Sequence, residues 1–197
     1  SIDERSREWE YRDSSGYSMP HNPEALEVIY NLRSNNNISS NHLEMYVQDT
    51  WRRETANSIF SLNYGLRLSH WSWNKEWLFS PRASLTYIPK NHDNMTFRLA
   101  TGLYYQRPFY KELRDTVTNG ATTIVQLNEN IQSQRSFQII AGYEYRFKLG
   151  KRPFLFSTEL YYKAQDRLNP YTVDNTKIVY YGRNCATGNV MGIDLKL

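Results

Sequence analysis

The chain has 197 residues, a formal net charge of +4 and 40% hydrophobic residues, yet 15% of it is aromatic, with 16 Tyr, 5 Trp and 8 Phe. Such aromatic content excludes an intrinsically disordered chain. No apolar run approaches the ~20 residues of a transmembrane helix, and the mean hydropathy of −0.72 agrees. Lys and Arg are scattered, so no nucleic-acid-binding stripe is visible, and the single cysteine, Cys185, excludes an internal disulfide framework. Asp3, Glu4 and Arg5 bring charge from the start, so no signal peptide is expected within this sequence, as for a protein that is not secreted or for a mature or excised piece.

In chain order the first candidate element is a ragged strand over residues 5–13, followed by a short-helix candidate over 23–32. From there the dominant period is two. A strand is expected over 43–51. Phe60, Leu62, Tyr64, Leu66 and Leu68 then alternate with Ser61, Asn63, Gly65, Arg67 and Ser69, a strand with one apolar and one polar face. The same alternation recurs at Ala83, Leu85 and Tyr87, at Phe97 to Tyr105, at Phe137 to Phe147 and at Phe154 to Tyr162. A last strand is expected over 189–197. Several of these runs reach ten residues or more, against ~5–6 in a typical soluble strand and ~9–11 in one that crosses a membrane.

The connections predict the orientation. Residues 52–58, 89–94 and 148–153 are short and polar; residues 72–79, 107–133 and 166–188 are longer. In an up-and-down meander this puts tight turns at one end and long loops at the other, as in outer-membrane barrels. Phe60, Tyr87, Phe97, Tyr145, Phe147, Phe154 and Phe156 fall near the short-turn interface. Trp71, Tyr105, Phe137 and Tyr162 fall near the other, with Leu62, Leu66, Leu85, Leu99, Ile139, Ala141 and Leu160 between them. This is the pattern of two aromatic girdles around an aliphatic band. The expected fold is therefore all-β, an antiparallel up-and-down meander of about seven to eight long strands. Residues 1–42 are expected to be mostly extracellular loop with an edge strand, and residues 43–197 to be barrel wall.

Several stretches resemble TonB-dependent outer-membrane receptors. Phe79-Ser80-Pro81-Arg82-Ala83-Ser84-Leu85-Thr86-Tyr87 is similar to that family's "SPR" strand. Thr96 to Tyr110, followed by Glu112-Leu113, is similar to its next strand and exit loop. Met45-Tyr46-Val47-Gln48-Asp49-Thr50-Trp51 resembles its "YxQD-W" strand, while Asp174-Asn175 to Gly182 and Gly192 to Lys196 resemble late barrel strands. The resemblance implies a 22-stranded transmembrane barrel, filled by a plug domain absent from this sequence, in the outer membrane of a Gram-negative bacterium. It implies energy-coupled uptake of a scarce, bulky nutrient such as an iron chelate, a corrinoid or an oligosaccharide. Its implied partners are TonB, acting through the plug, outer-membrane lipid and lipopolysaccharide, the small or medium nutrient ligand, and in some cases a surface lipoprotein, but no nucleic acid. At about 28 residues per strand such a barrel needs roughly 600 residues, so the chain is expected to be a late part, about a third, of one.

No chemistry of its own is expected. His21, His42, His70 and His92 are far apart, so no metal site is expected, and no nucleophile motif, phosphate loop or cofactor motif occurs. Catalytic residues, metals and cofactors are thus expected to be none, and the chain is not expected to be an enzyme. The expected ligand contacts are Trp73, Trp77, Arg107, Phe109, Tyr110 and Arg114, because exposed aromatics stack on sugars and macrocycles and arginine meets anions. The polar-face charges Arg67, Arg82, Arg98, Arg146, Glu144, Glu159 and Lys163 are read first as cross-strand ion pairs in the wall. Two other architectures are consistent with the pattern. One is a complete eight-stranded barrel closed by pairing residues 5–13 with 189–197. The other is a soluble carbohydrate-binding sandwich whose Leu62, Leu85, Leu99 and Ile139 face a second sheet.

Overall fold

The period-two pattern is realised as strands. A computed structural model describes residues 2–12, 27–120, 122–174 and 177–197. The strands are β1 (Ile2–Arg12), β2 (Glu27–Ile38), β3 (His42–Glu54), β4 (Ser58–Trp71), β5 (Glu76–Pro89) and β6 (Met95–Gln106). A one-turn helix α1 (Tyr110–Leu113) follows, then β7 (Arg114–Asn119), β8 (Thr122–Leu127), β9 (Gln134–Leu149), β10 (Arg152–Leu168), β11 (Tyr171–Asp174), β12 (Lys177–Tyr180) and β13 (Ala186–Lys196). The helix expected over 23–32 is not formed by residues 27–32, which lie in β2; residues 23–26, and Asp13 of the first strand candidate, lie outside the described residues.

The chain divides into two units. The larger, residues 42–107, 132–168 and 184–197, is one antiparallel meander in the order β13-β10-β9-β6-β5-β4-β3. Its strands run from 11 to 17 residues, long enough to cross a bilayer. The register aligns the apolar positions into rows across every strand. One row reads Trp51, Leu62, Leu85, Leu99, Ala141, Leu160 and Ile193. The next row toward the short turns carries Phe60, Tyr87, Phe97 and Tyr143, with successive ring centroids 4.9, 6.0 and 5.1 Å apart. Tyr145, Phe147 and Phe154 continue the girdle with stacked rings 5.6 Å apart. Among the described residues Leu99, Leu160 and Ile193 of this face are 46%, 55% and 58% exposed, not buried as the core of a sandwich would be.

Turn chemistry fixes the short-turn end. Thr55 donates its amide to the Ser58 carbonyl at 2.8 Å while its hydroxyl accepts the Ser58 amide at 3.1 Å. Gly150 sits at φ +64° in the first central position of a two-residue loop closed by Leu149 and Arg152, as a type II′ hairpin requires. At the other end one expectation is corrected. Residues 72–79 are not a long loop, because β4 runs to Trp71 and β5 starts at Glu76, leaving four residues between them. The turn is made possible by Lys75 at φ +56°. The expected loops 107–133 and 166–188 are not without structure: they contain α1, β7, β8 and the β11–β12 hairpin.

The smaller unit is residues 1–41, 108–131 and 169–183. Its sheet has the order β1-β2-β8-β7, with β2 and β8 parallel over four positions. Leu32, Ile38, Leu113, Val125 and Ile131 are its buried hydrophobic residues. The first strand therefore pairs with β2, and among the described residues β13 pairs with β10 alone. The seam that a closed eight-stranded barrel needs is not formed.

Candidate functional site

The other face of the meander is polar, because the same register that aligns the leucines aligns the charges. Arg98 donates to Glu144 at 2.8 Å across β6 and β9, so the cross-strand pairing expected of the wall charges is present there. Glu44, at the start of β3, pairs with Arg67 of β4 and lies 2.9 Å from His42 Nε2. These pairs are substantially exposed, and exposed pairs contribute only ~0–1 kcal/mol each. They set local charge more than stability.

At the end of the sheet away from the short turns the polar face opens into a cavity of about 500 Å³, lined by Glu44, Arg67, Ser69, Leu78, Ser80, Arg82, Tyr105, Gln106 and Arg107. A second groove of about 510 Å³ shares Glu44, Arg67, Ser80 and Arg82, and adds Tyr46, Gln48 and Tyr104. The shape has a topological cause: β5 and β6 pair only from Arg82 to Tyr87, so the strands part beyond Arg82. Arg82 lies opposite Gly65 on one side and Gly102 on the other. Neither neighbour offers a side chain, and its guanidinium carbon instead sits 4.5 Å from the Tyr104 ring centroid. Tyr104 in turn lies over Gly102, where an added Cβ would come within 2.9 Å of the ring. Of the three cavity arginines Arg67 is ion-paired with Glu44; among the described residues Arg82 and Arg107 form no ion pair, although the charge of Arg107 also reaches Glu44.

The expected contact residues fall in different places. Arg107 lines the cavity. Trp77 is in β5 rather than a loop, on the apolar face, its ring tilted against His70 with centroids 4.5 Å apart. Trp73 is in the four-residue turn, half-buried, with its indole Nε1 buried. Trp71, expected at the lipid interface, falls on the opposite phase and is buried, at 6% exposure. Phe109, Tyr110 and Arg114 belong to the smaller unit. Phe109 caps α1 and is 65% exposed, and its amide donates to Glu112 at 2.9 Å. In that unit Asn169 bonds the Glu112 carbonyl at 3.3 Å and Asn128 bonds the Gly182 carbonyl at 2.9 Å, tying residues 108–131 to 169–183. Burial, reinforced by Glu112, holds the Tyr180 hydroxyl above the ordinary phenol range.

Ligand reasoning from the sequence did not single out Glu44, Ser69, Ser80 or Gln106, and gave Arg67 and Arg82 only a structural role. Their phase marks them as polar-face residues, but only the register shows that they share one cavity. Among the described residues no group of three or more His, Cys, Asp or Glu could hold a metal ion. Residues 3–197 match the family model described as TonB dependent receptor-like, beta-barrel. No curated protein and no solved structure gives a significant match.

Proposed function

The chain belongs to the TonB-dependent receptor β-barrel family, and from that premise we propose that its meander is barrel wall of a receptor that actively imports a scarce, bulky nutrient. Membership gives the coarse role, an outer-membrane receptor acting in transport. The finer reading is that the short turns face the periplasm, the long connections face outward, and the proton-motive force reaches the receptor through TonB. The nutrient classes are an iron chelate, a corrinoid or an oligosaccharide. Lipopolysaccharide surrounds the outer rim, and a surface lipoprotein is a further partner consistent with this class.

The observation that carries the reading is the unbroken apolar row from Trp51 to Ile193 beside a charged opposite face. A bilayer on one side and an aqueous lumen on the other require that pair of faces. Of the expected contacts, Arg107 is assigned to the lumen; Trp73, Phe109, Tyr110 and Arg114 remain assigned to the outer rim, and Trp77 to the lipid interface.

The test is uptake by cells carrying or lacking the receptor gene, using labelled ferric chelates, cobalamin and maltodextrins, with and without a protonophore. Uptake of one class that needs both the receptor and the proton gradient supports the reading. Receptor-dependent uptake that persists without the gradient, or a soluble location of the protein, sinks it.

A further inference from the structure

The polar-face cavity carries more than a location. We propose that Arg82 and Arg107 form an anion subsite, and that the transported nutrient therefore bears a multiply charged oxyanion, a carboxylate or phosphate cluster, rather than being a neutral oligosaccharide. This rests on the proposed transport role and narrows its ligand.

Charge comes first. The cavity is lined by three arginines and a single carboxylate, Glu44, which Arg67 already neutralises. Among the described residues neither Arg82 nor Arg107 forms an ion pair, and although the Arg107 charge reaches Glu44, one carboxylate against three guanidiniums leaves the cavity with surplus positive charge. Elsewhere on this face the arginines do reach a carboxylate, Glu144 serving both Arg98 and Arg146. At Arg82 the cross-strand positions are Gly65 and Gly102, so the wall strands supply no counter-charge directly opposite.

Preorganisation comes second. Stacking on the Tyr104 ring holds Arg82 in place while leaving the N–H fork free, since cation–π contact uses the face of the guanidinium and not its edge. A planar fork suits bidentate pairing with carboxylate or phosphate oxygens. The Ser69 and Ser80 hydroxyls and the Gln106 amide line the same cavity and supply neutral donors. A cavity of about 500 Å³ falls in the range of small-molecule sites, ~300–1,000 Å³.

The test uses the intact receptor, purified in detergent at low ionic strength and titrated calorimetrically with citrate, with inorganic phosphate and with maltotriose. The wild type is expected to bind one or both anions and not the neutral sugar. Citrate binding alone identifies a carboxylate ligand; phosphate binding identifies a phosphorylated one. Arg82→Gln and Arg107→Gln are each expected to weaken anion binding by about tenfold to a hundredfold, the loss of one charge-assisted contact, with an unchanged melting temperature. Arg98→Gln, at the opposite end of the face, should bind anions as the wild type does. No anion binding by the wild type overturns the proposal. So does a lowered melting temperature in the Gln variants with anion affinity intact, since the arginines would then hold another part of the receptor. Proton-gradient-dependent uptake is measured in the same strains. If it persists while anion affinity is unaffected, the transport role stands and only the subsite falls; if no uptake depends on the gradient, the underlying role falls.

Discussion

The carboxylate of Glu76 accepts the backbone amide of Ser133 at 2.9 Å, joining the start of β5 to the residue just before β9 across 57 positions of sequence. The same carboxylate accepts Asn74 at 3.1 Å and Arg167 at 3.4 Å. Asn184 extends the network by bonding the carbonyls of Arg167 and Gln132 at 2.6 and 2.9 Å. Four segments are thus tied at one end of the meander, and Lys75 and Arg167, the non-glycine residues with positive φ among the described residues, both sit in this knot.

Glu76→Ala should therefore loosen that end specifically. Ser133 is completely buried, and an unpaired buried amide costs ~1–3 kcal/mol. The expected outcome is a lower urea midpoint in vesicles and new protease cleavage near residues 72–75 and 132–134, with the short-turn end still protected. Glu76→Gln keeps an acceptor for Ser133 and should fall between the two. Uniform loss of protection along all strands would contradict the local role.

The apolar row makes a face-specific prediction. Leu85→Arg puts a charge on the row that meets lipid and should cost ~2–4 kcal/mol near the bilayer midplane. Ser84→Arg, one residue away on the polar face, should cost far less. Folding yields of the two variants into phospholipid vesicles decide this; equal yields would count against the assignment of faces.

The aromatic ladder predicts a graded series. Phe97 touches the rings of Tyr87 and Tyr143, and each such pair is worth ~0.5–1.5 kcal/mol beyond area burial. Phe97→Ala should lose more stability than Phe60→Ala, whose one ring contact among the described residues is Tyr87. Phe97→Tyr should be nearly neutral. Equilibrium unfolding of the three variants in vesicles gives the order.

Gly150→Ala isolates a backbone effect. An added Cβ would meet nothing within 4 Å, so space is not limiting, but the residue holds φ +64°. A non-glycine residue there costs roughly 1–2 kcal/mol. The variant should unfold at lower urea and keep its ligand affinity, measured in parallel.

How much of this was legible in the sequence follows from what each feature depends on. The seven wall strands were readable because Leu62, Leu85, Leu99 and Leu160 sit in unbroken period-two runs, and one-sided burial produces that alternation. The β7–β8 hairpin does carry a local signal, Asn119-Gly120 between β-branched runs, and Gly120 holds φ +61°. The parallel β2–β8 pairing has no local signal, because it joins segments about 90 residues apart. Trp77 was misplaced because a four-residue turn needed Lys75 in a left-handed conformation, which side-chain type does not announce. The cavity was illegible for a related reason: alternation places Arg67, Arg82 and Arg107 near one face or end, but only register and the parting of β5 from β6 bring them together.

The most direct test of the account compares two adjacent residues on opposite faces of β6. Nitroxide labels are placed at Leu99→Cys or Ala100→Cys in a Cys185→Ser background of the intact receptor, reconstituted in bilayers. Collision rates with oxygen and with a water-soluble nickel chelate are then measured. The account predicts a high oxygen-to-nickel ratio at position 99, on the row that faces lipid, and a lower ratio at position 100. A ratio at position 99 equal to or below that at position 100 would contradict it.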